Sequence, residues 1–189
     1  MTYTTGSLMM TAFRVSSDTD MNVATQAAET PLKAKALLPK RVCFVCTGNT
    51  CRSPMAAAVT NALGKNCGIT AESAGIYANE GERISHNALE ALLDAGYIPE
   101  EGNRFDEHRS ATICKSTFET CDTVIAISRS HFMSLIYSFP SYVQKITVMP
   151  CDISDPFGGD LNRYKACLEE ITAGVKELLG FESDKGRTL

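Results

Sequence analysis

Apolar positions along residues 41–180 follow two periods in turn. Short apolar runs, typical of strands buried on both faces, occur within 41–46, where Val42, Cys43, Phe44 and Val45 are consecutive, within 122–127 and within 145–149, and a further strand is expected near 69–73. Between them lie segments of helical spacing. One covers 53–65. A second runs from Ile84 to Ala95, with Ile84, Ala88, Leu89 and Leu92 on one face. A third is expected at 110–120 with Ser110 as its cap, and a fourth at 129–138, ended before Pro140. The last is the clearest. Leu161, Tyr164, Leu168, Ile171, Val175 and Leu178 recur at intervals of three and four, and Gly180 stops the helix. Strands alternating with helices predict an α/β fold, a three-layer sandwich with a central four-stranded parallel sheet and helices on both faces. Right-handed crossovers then bring every strand's C-terminal end to one edge, where open α/β sheets bind ligands.

The flanks read differently. Residues 1–39 are rich in Thr, Ser and Ala and show no sustained period before Leu32. They are expected to form a flexible extension, with a short helix at 31–38, and residues 183–189 a tail. The domain itself is expected to span 40–182. A net charge of −4 and the lack of a long Lys/Arg run argue against a nucleic-acid partner. No stretch approaches the ~18 apolar residues of a membrane span, and the N-terminus lacks the pattern of a secretory signal. These features lead to an expectation of a cytoplasmic protein with no membrane partner and with most of its eight cysteines free.

The chemistry concentrates after the first strand, where Cys46 to Pro54 reads Cys-Thr-Gly-Asn-Thr-Cys-Arg-Ser-Pro. A Cys-x5-Arg pair alone is weak evidence, since this composition yields about 0.4 by chance. Its context is specific. A strand precedes it, Gly48 and Asn49 tolerate left-handed backbone within it, and Ser53-Pro54 open a helix. Such a loop turns its amides inward as an anion nest, in front of a positive helix end. Arg52 adds a planar fork of donors that suits phosphate. Those groups also favour a thiolate at Cys46, which makes Cys46 a candidate nucleophile for phosphoryl transfer. Ser53 can donate its hydroxyl to the Cys46 sulfur. Phosphoryl transfer further requires a proton donor for the leaving group. Asp152 and Asp155 both qualify, in the segment Asp152-Ile153-Ser154-Asp155-Pro156-Phe157-Gly158-Gly159, and periodicity does not separate them.

With these residues assembled, the chain resembles the low-molecular-weight protein-tyrosine-phosphatase family over roughly Lys40 to Leu179. The resemblance rests on residues 45–55, on Ser73-Ala74-Gly75 and on Asp155-Pro156-Phe157. It implies Cys46 as nucleophile, Arg52 as phosphate clamp and Asp155 as general acid and base. It also implies a phosphate-binding loop of Thr47, Gly48, Asn49, Thr50, Cys51 and Ser53, with Asn49 stiffening the loop and Ser53 supporting the thiolate. Phosphorylated proteins would be the substrates and inorganic phosphate the product, with no metal or other cofactor. Within the family, the chain is most similar to the bacterial protein-arginine phosphatases. Thr50 stands where tyrosine-specific members usually carry an aliphatic residue, and Phe157 is followed by Gly158-Gly159. A hydroxyl at position 50 can accept from a guanidinium or orient water, which favours phosphoarginine over phosphotyrosine. Cys51 resembles the family's second loop cysteine, expected to trap an oxidised Cys46 reversibly.

The other candidates carry less. Cys43-x2-Cys46 has zinc-like spacing, but residues three apart on a strand point to opposite faces. Cys114 and Cys121 suggest a thioredoxin-coupled arsenate reductase. However, they precede the third strand and are expected to be packing positions, and Ser128 occupies the place of a shuttle cysteine. A phospho-binding module without turnover would have no use for Asp155. His86, His108 and His131 show no ligand spacing and are expected as cap, surface or core residues, with His108 a candidate buttress beneath the loop.

Overall fold

The computed structural model describes residues 39–181. The expected extension and its helix at 31–38, and the tail at 183–189, lie outside the described residues. Eleven elements occur in order among the described residues. They are β1 (Arg41–Cys46), α1 (Arg52–Gly64), β2 (Thr70–Gly75), α2 (His86–Asp94), a 3-10 turn (Phe105–Glu107), α3 (Lys115–Thr120), β3 (Thr123–Ala126), α4 (Arg129–Ser138), a second 3-10 turn (Pro140–Lys145), β4 (Ile146–Val148) and α5 (Leu161–Leu179). The sheet order is β2-β1-β3-β4 and every pairing is parallel.

β1 is central, and its residues from Val42 to Cys46 are buried. Alternation sends Val42, Phe44 and Cys46 into one core with α1, α2 and α5, and Cys43 and Val45 into a second with α3 and α4. Cys43 and Cys46 therefore lie on opposite sides of the sheet, as strand geometry requires. β1 and α1 sit at the switch point of the strand order, so the loop joining them opens on the C-terminal edge. α5 begins at Asp160, whose carboxylate accepts from Arg163 N at 3.0 Å. It closes at Gly180, whose φ of +67° supplies the left-handed cap.

Two expectations need correction. The helix placed at 110–120 is only Lys115–Thr120, and Ser110 does not cap it. Tertiary bonds hold the residues before it extended. Gly75 N donates to Ala111 O at 2.9 Å and Ile113 N to Gly75 O at 2.9 Å, which sets Thr112 in an isolated parallel bridge beside the end of β2. Ser110 instead donates to Asn79 O and accepts from Glu82 N at 2.9 Å. The helix expected from Ile84 starts at His86 because Ser85, in extended backbone, gives its N–H to Thr50 O at 2.8 Å.

Gly75 marks where the sheet meets the loop. A Cβ there would lie 2.7 Å from Thr47 O, against backbone that cannot swing away. Gly75→Ala should therefore destabilise the fold by about 1–3 kcal/mol and displace the loop. Thermal melting and catalytic efficiency measured together would show this. A variant that melts and turns over like wild type would mean the loop tolerates the displacement.

Candidate active site

Residues 46–52 form a bowl, and the direction of their carbonyls explains why. Cys46 O accepts from Ile76 N at 2.9 Å, Thr47 O from Tyr77 N at 2.9 Å and Thr50 O from Ser85 N at 2.8 Å. Asn49 O accepts from His108 Nε2 at 2.7 Å. Each carbonyl is thus pulled outward. Since the N–H and C=O of a peptide group point in opposite senses, the amides turn inward. Among the described residues no backbone N–H from Thr47 to Cys51 donates to a backbone carbonyl. The outcome is an anion nest ahead of the α1 N-terminus.

Asn49 locks this shape. It is fully buried at φ +57°, the single non-glycine residue with positive φ among the described residues. Its Nδ2 donates to Ser53 Oγ and Ser73 Oγ, both at 2.9 Å, and its Oδ1 accepts from Ala111 N at 2.9 Å. Ser53 Oγ lies 3.0 Å from Cys46 Sγ. An ionised sulfur can only accept, so Ser53 would then be its donor. The Cys51 thiol turns away to Ser85 Oγ at 3.3 Å and Tyr164 Oη at 3.4 Å.

The opposite wall comes from the loop after β4. The Asp155 carboxylate accepts from Arg52 at 2.8 Å and from Phe157 N at 3.2 Å. Asp152 is committed elsewhere, accepting from Arg129 N at 2.7 Å at the start of α4. A cavity of about 460 Å³ is lined by Cys46, Thr50, Arg52, Asp155 and Phe157, together with Thr47, Gly48 and Cys51. Asn49 and Ser53 stand behind it. The site residues expected from sequence therefore converge on one place. Asn79 and Glu82 also line the cavity, and nothing in their local pattern announced them.

His131 is a further residue whose place sequence reasoning missed. Its Nε2 is 2.9 Å from Thr47 Oγ1 and its Nδ1 is 2.6 Å from Ser128 Oγ, which caps α4. The available signal was Ser128-x2-His131 directly after β3, on the same sheet edge as the loop. Burial, and then the Arg52 guanidinium, push His131 down to about 4, against the pull of Asp155 and Asp152. Burial likewise lowers His108, opposed by its bond to the Asn49 carbonyl. Both are neutral at neutral pH.

The remaining thiols are chemically distinct. Burial beside Glu72 raises Cys121 to about 11, and burial beside Glu170 raises Cys167 to about 12. Cys121 is a packing position as expected, but Cys114 is exposed, and hydrogen bonds from Ser116 and Thr117 lower it. Among the described residues no cluster of His, Cys, Asp and Glu can hold a metal ion, and no helix is long and apolar enough to cross a membrane.

The family described as low molecular weight phosphotyrosine protein phosphatase matches residues 41–187. The chain belongs to that family. It is a cysteine-dependent protein phosphatase, a hydrolase of phosphorylated proteins. A protein-arginine-phosphatase of Geobacillus stearothermophilus is 34% identical over 148 residues, covering 75% of this chain and 95% of that one. A low molecular weight protein-tyrosine-phosphatase of Streptomyces coelicolor is 33% identical over 156 residues, covering 74% and 91%. Among solved structures, a YwlE arginine phosphatase mutant with a phosphorylated active-site serine in place of cysteine aligns with a TM-score of 0.67 at 28% identity. It covers 78% of this chain and 98% of that one.

The histidines give the fold a pH dependence. The ordinary value for His131 is 6.5, against about 4 here. Between those values the unfolded chain binds a proton that the folded protein refuses, so stability falls as pH falls through that window. His108 acts in the same direction. His131→Asn keeps a hydrogen-bonding group beside Thr47 but cannot take the proton. Its Tm should fall less than that of wild type between about pH 6.5 and pH 4. Equal slopes would remove His131 as the titrating group.

Proposed function

We propose that this protein is a protein-arginine phosphatase acting through a phosphocysteine intermediate. The observation that carries the reading is the shared cavity of Cys46, Arg52 and Asp155, with Thr50 in its wall. The Cys46 sulfur attacks phosphorus, forming an S–P bond as the P–N bond to the arginine guanidino group breaks. Asp155 passes its proton to the departing nitrogen. Asp155 then takes a proton from water, whose oxygen attacks phosphorus. The S–P bond breaks, the thiolate returns and inorganic phosphate leaves. Arg52 and the loop amides hold the charge that spreads over the equatorial oxygens. The bond between Arg52 and Asp155 keeps acid and clamp on the same side of the phosphoryl site.

Thr50 supports the choice of substrate. A closed pocket that left a guanidinium N–H without an acceptor would lose about 1–3 kcal/mol, and a hydroxyl supplies one. The similarity to a protein-arginine-phosphatase points the same way. The second reading, phosphotyrosine, is favoured by Phe157, whose exposed ring lines the cavity and can stack on a phenyl group, and by the Streptomyces relative. Since the chemistry needs a reduced thiol, we assign the protein to the cytoplasm. Cys51, in the same cavity wall, is the partner we propose for an oxidised Cys46.

Matched phosphoarginine and phosphotyrosine peptides separate the two substrates. Wild type should prefer phosphoarginine, and Thr50→Ile should reverse the preference, with Cys46→Ser inactive on both. A phosphotyrosine preference indifferent to Thr50→Ile would make the protein a tyrosine phosphatase. Asp155→Asn should lose about 10²–10⁴ in kcat; an unchanged rate would exclude it as the acid. In the same assay, peroxide followed by dithiothreitol should restore wild type more fully than Cys51→Ala. Equal recovery would assign Cys51 to packing alone.

A further inference from the structure

We infer that Glu82 is a specificity-determining residue that pairs with the guanidinium of the phosphorylated arginine, an inference that rests on the phosphoarginine reading above. The charges in the cavity wall do not balance. Its lining contains one cation, Arg52, and two carboxylates, Asp155 and Glu82. Arg52 and Asp155 pair with each other at 2.8 Å. Among the described residues Glu82 forms no ion pair, and the Oε1 of its carboxylate is held only by a neutral amide, Asn79 Nδ2, at 3.0 Å. A site that must admit a phosphate anion therefore has a carboxylate left over in its wall.

That carboxylate stands on a fixed platform. Glu82 N donates to Ser110 Oγ at 2.9 Å, and Ser110 N returns a bond to Glu82 O at 2.8 Å. Gly81 N donates to Ser110 O at 2.8 Å. Three residues on, Ser85 N holds Thr50 O, so the segment bearing Glu82 is tied to the phosphate-binding loop itself. Backbone bonds thus fix the segment at both ends.

The consequence depends on the substrate. Phosphotyrosine brings two negative charges and an uncharged ring, and a nearby carboxylate repels it. Phosphoarginine carries the same phosphoryl group on a guanidinium, whose remaining N–H groups form a planar donor array matched to a carboxylate. Glu82 thus selects both by attraction to one substrate and by repulsion of the other. Asn79 keeps the carboxylate oriented.

The test is kcat/KM for wild type, Glu82→Gln and Glu82→Arg on phosphoarginine and phosphotyrosine peptides with identical, uncharged flanking residues. Glu82 is exposed, so the variants should fold, and melting curves check that. Glu82→Gln should lower kcat/KM on phosphoarginine about tenfold, mainly through KM, and leave phosphotyrosine unchanged or faster. Glu82→Arg should extend both trends. A wild type that prefers phosphoarginine by a margin neither variant alters would overturn the role of Glu82 alone. Equal losses on both substrates would assign Glu82 to holding the loop, and also overturn it. An effect seen only when lysine or arginine flanks the phosphorylated residue would move the contact to a neighbouring side chain and overturn the assignment. A wild type that prefers phosphotyrosine would sink the substrate reading, and this inference with it.

Discussion

The structure depends on the outward pull on the carbonyls of residues 46–50. A peptide group cannot send both its ends to the same place. Once Ile76, Tyr77, Ser85 and His108 have captured the carbonyls, the amides must converge on the point above Cys46. The partners come from the segment after β2, from the residue that caps α2 and from the turn before α3, so the bowl is assembled by distant parts of the chain. Asn49 makes this possible, since its left-handed backbone is offset by using both protons and the oxygen of its amide.

The sheet explains why those partners are at hand. β1 lies between β2 and β3, and all strands run the same way. The segments leaving β2 and β3 therefore flank the loop that leaves β1. The loop after β4 reaches over from the far side and carries Asp155 to Arg52, 103 residues away in sequence. Gly75, at the end of β2, allows the loop to rest on the sheet with no side chain between them.

Much of this was legible beforehand because it is written in local pattern. Apolar runs marked β1, β3 and β4, three-four spacing marked α5, and the Cys46 to Pro54 string placed the loop between β1 and α1. The resemblance chose Asp155, and the geometry gives Asp152 a different task at α4. The errors share one cause. Ser110 had the composition of a helix cap, but pairing with Asn79 and Glu82 and the bridge between Thr112 and Gly75 beside it outweighed propensity. His131 read as a cap, surface or core residue without ligand spacing, although its two nitrogens join Ser128 to Thr47. Glu82 had no signal in its neighbourhood, because its place in the cavity wall is set by contacts with residues 110 and 79. Side chains positioned by long-range backbone bonds leave no period for sequence reading to detect.

The central claim is that phosphate passes through Cys46. The most direct measurement is mass spectrometry of the protein after rapid acid quenching during turnover, in an Asp155→Asn background that slows release of the intermediate. The account predicts a phosphoryl group on the peptide containing Cys46, chased away on longer incubation and absent from Cys46→Ala. Turnover with no phosphorylated cysteine at any quench time, or with phosphate on another residue, would contradict it.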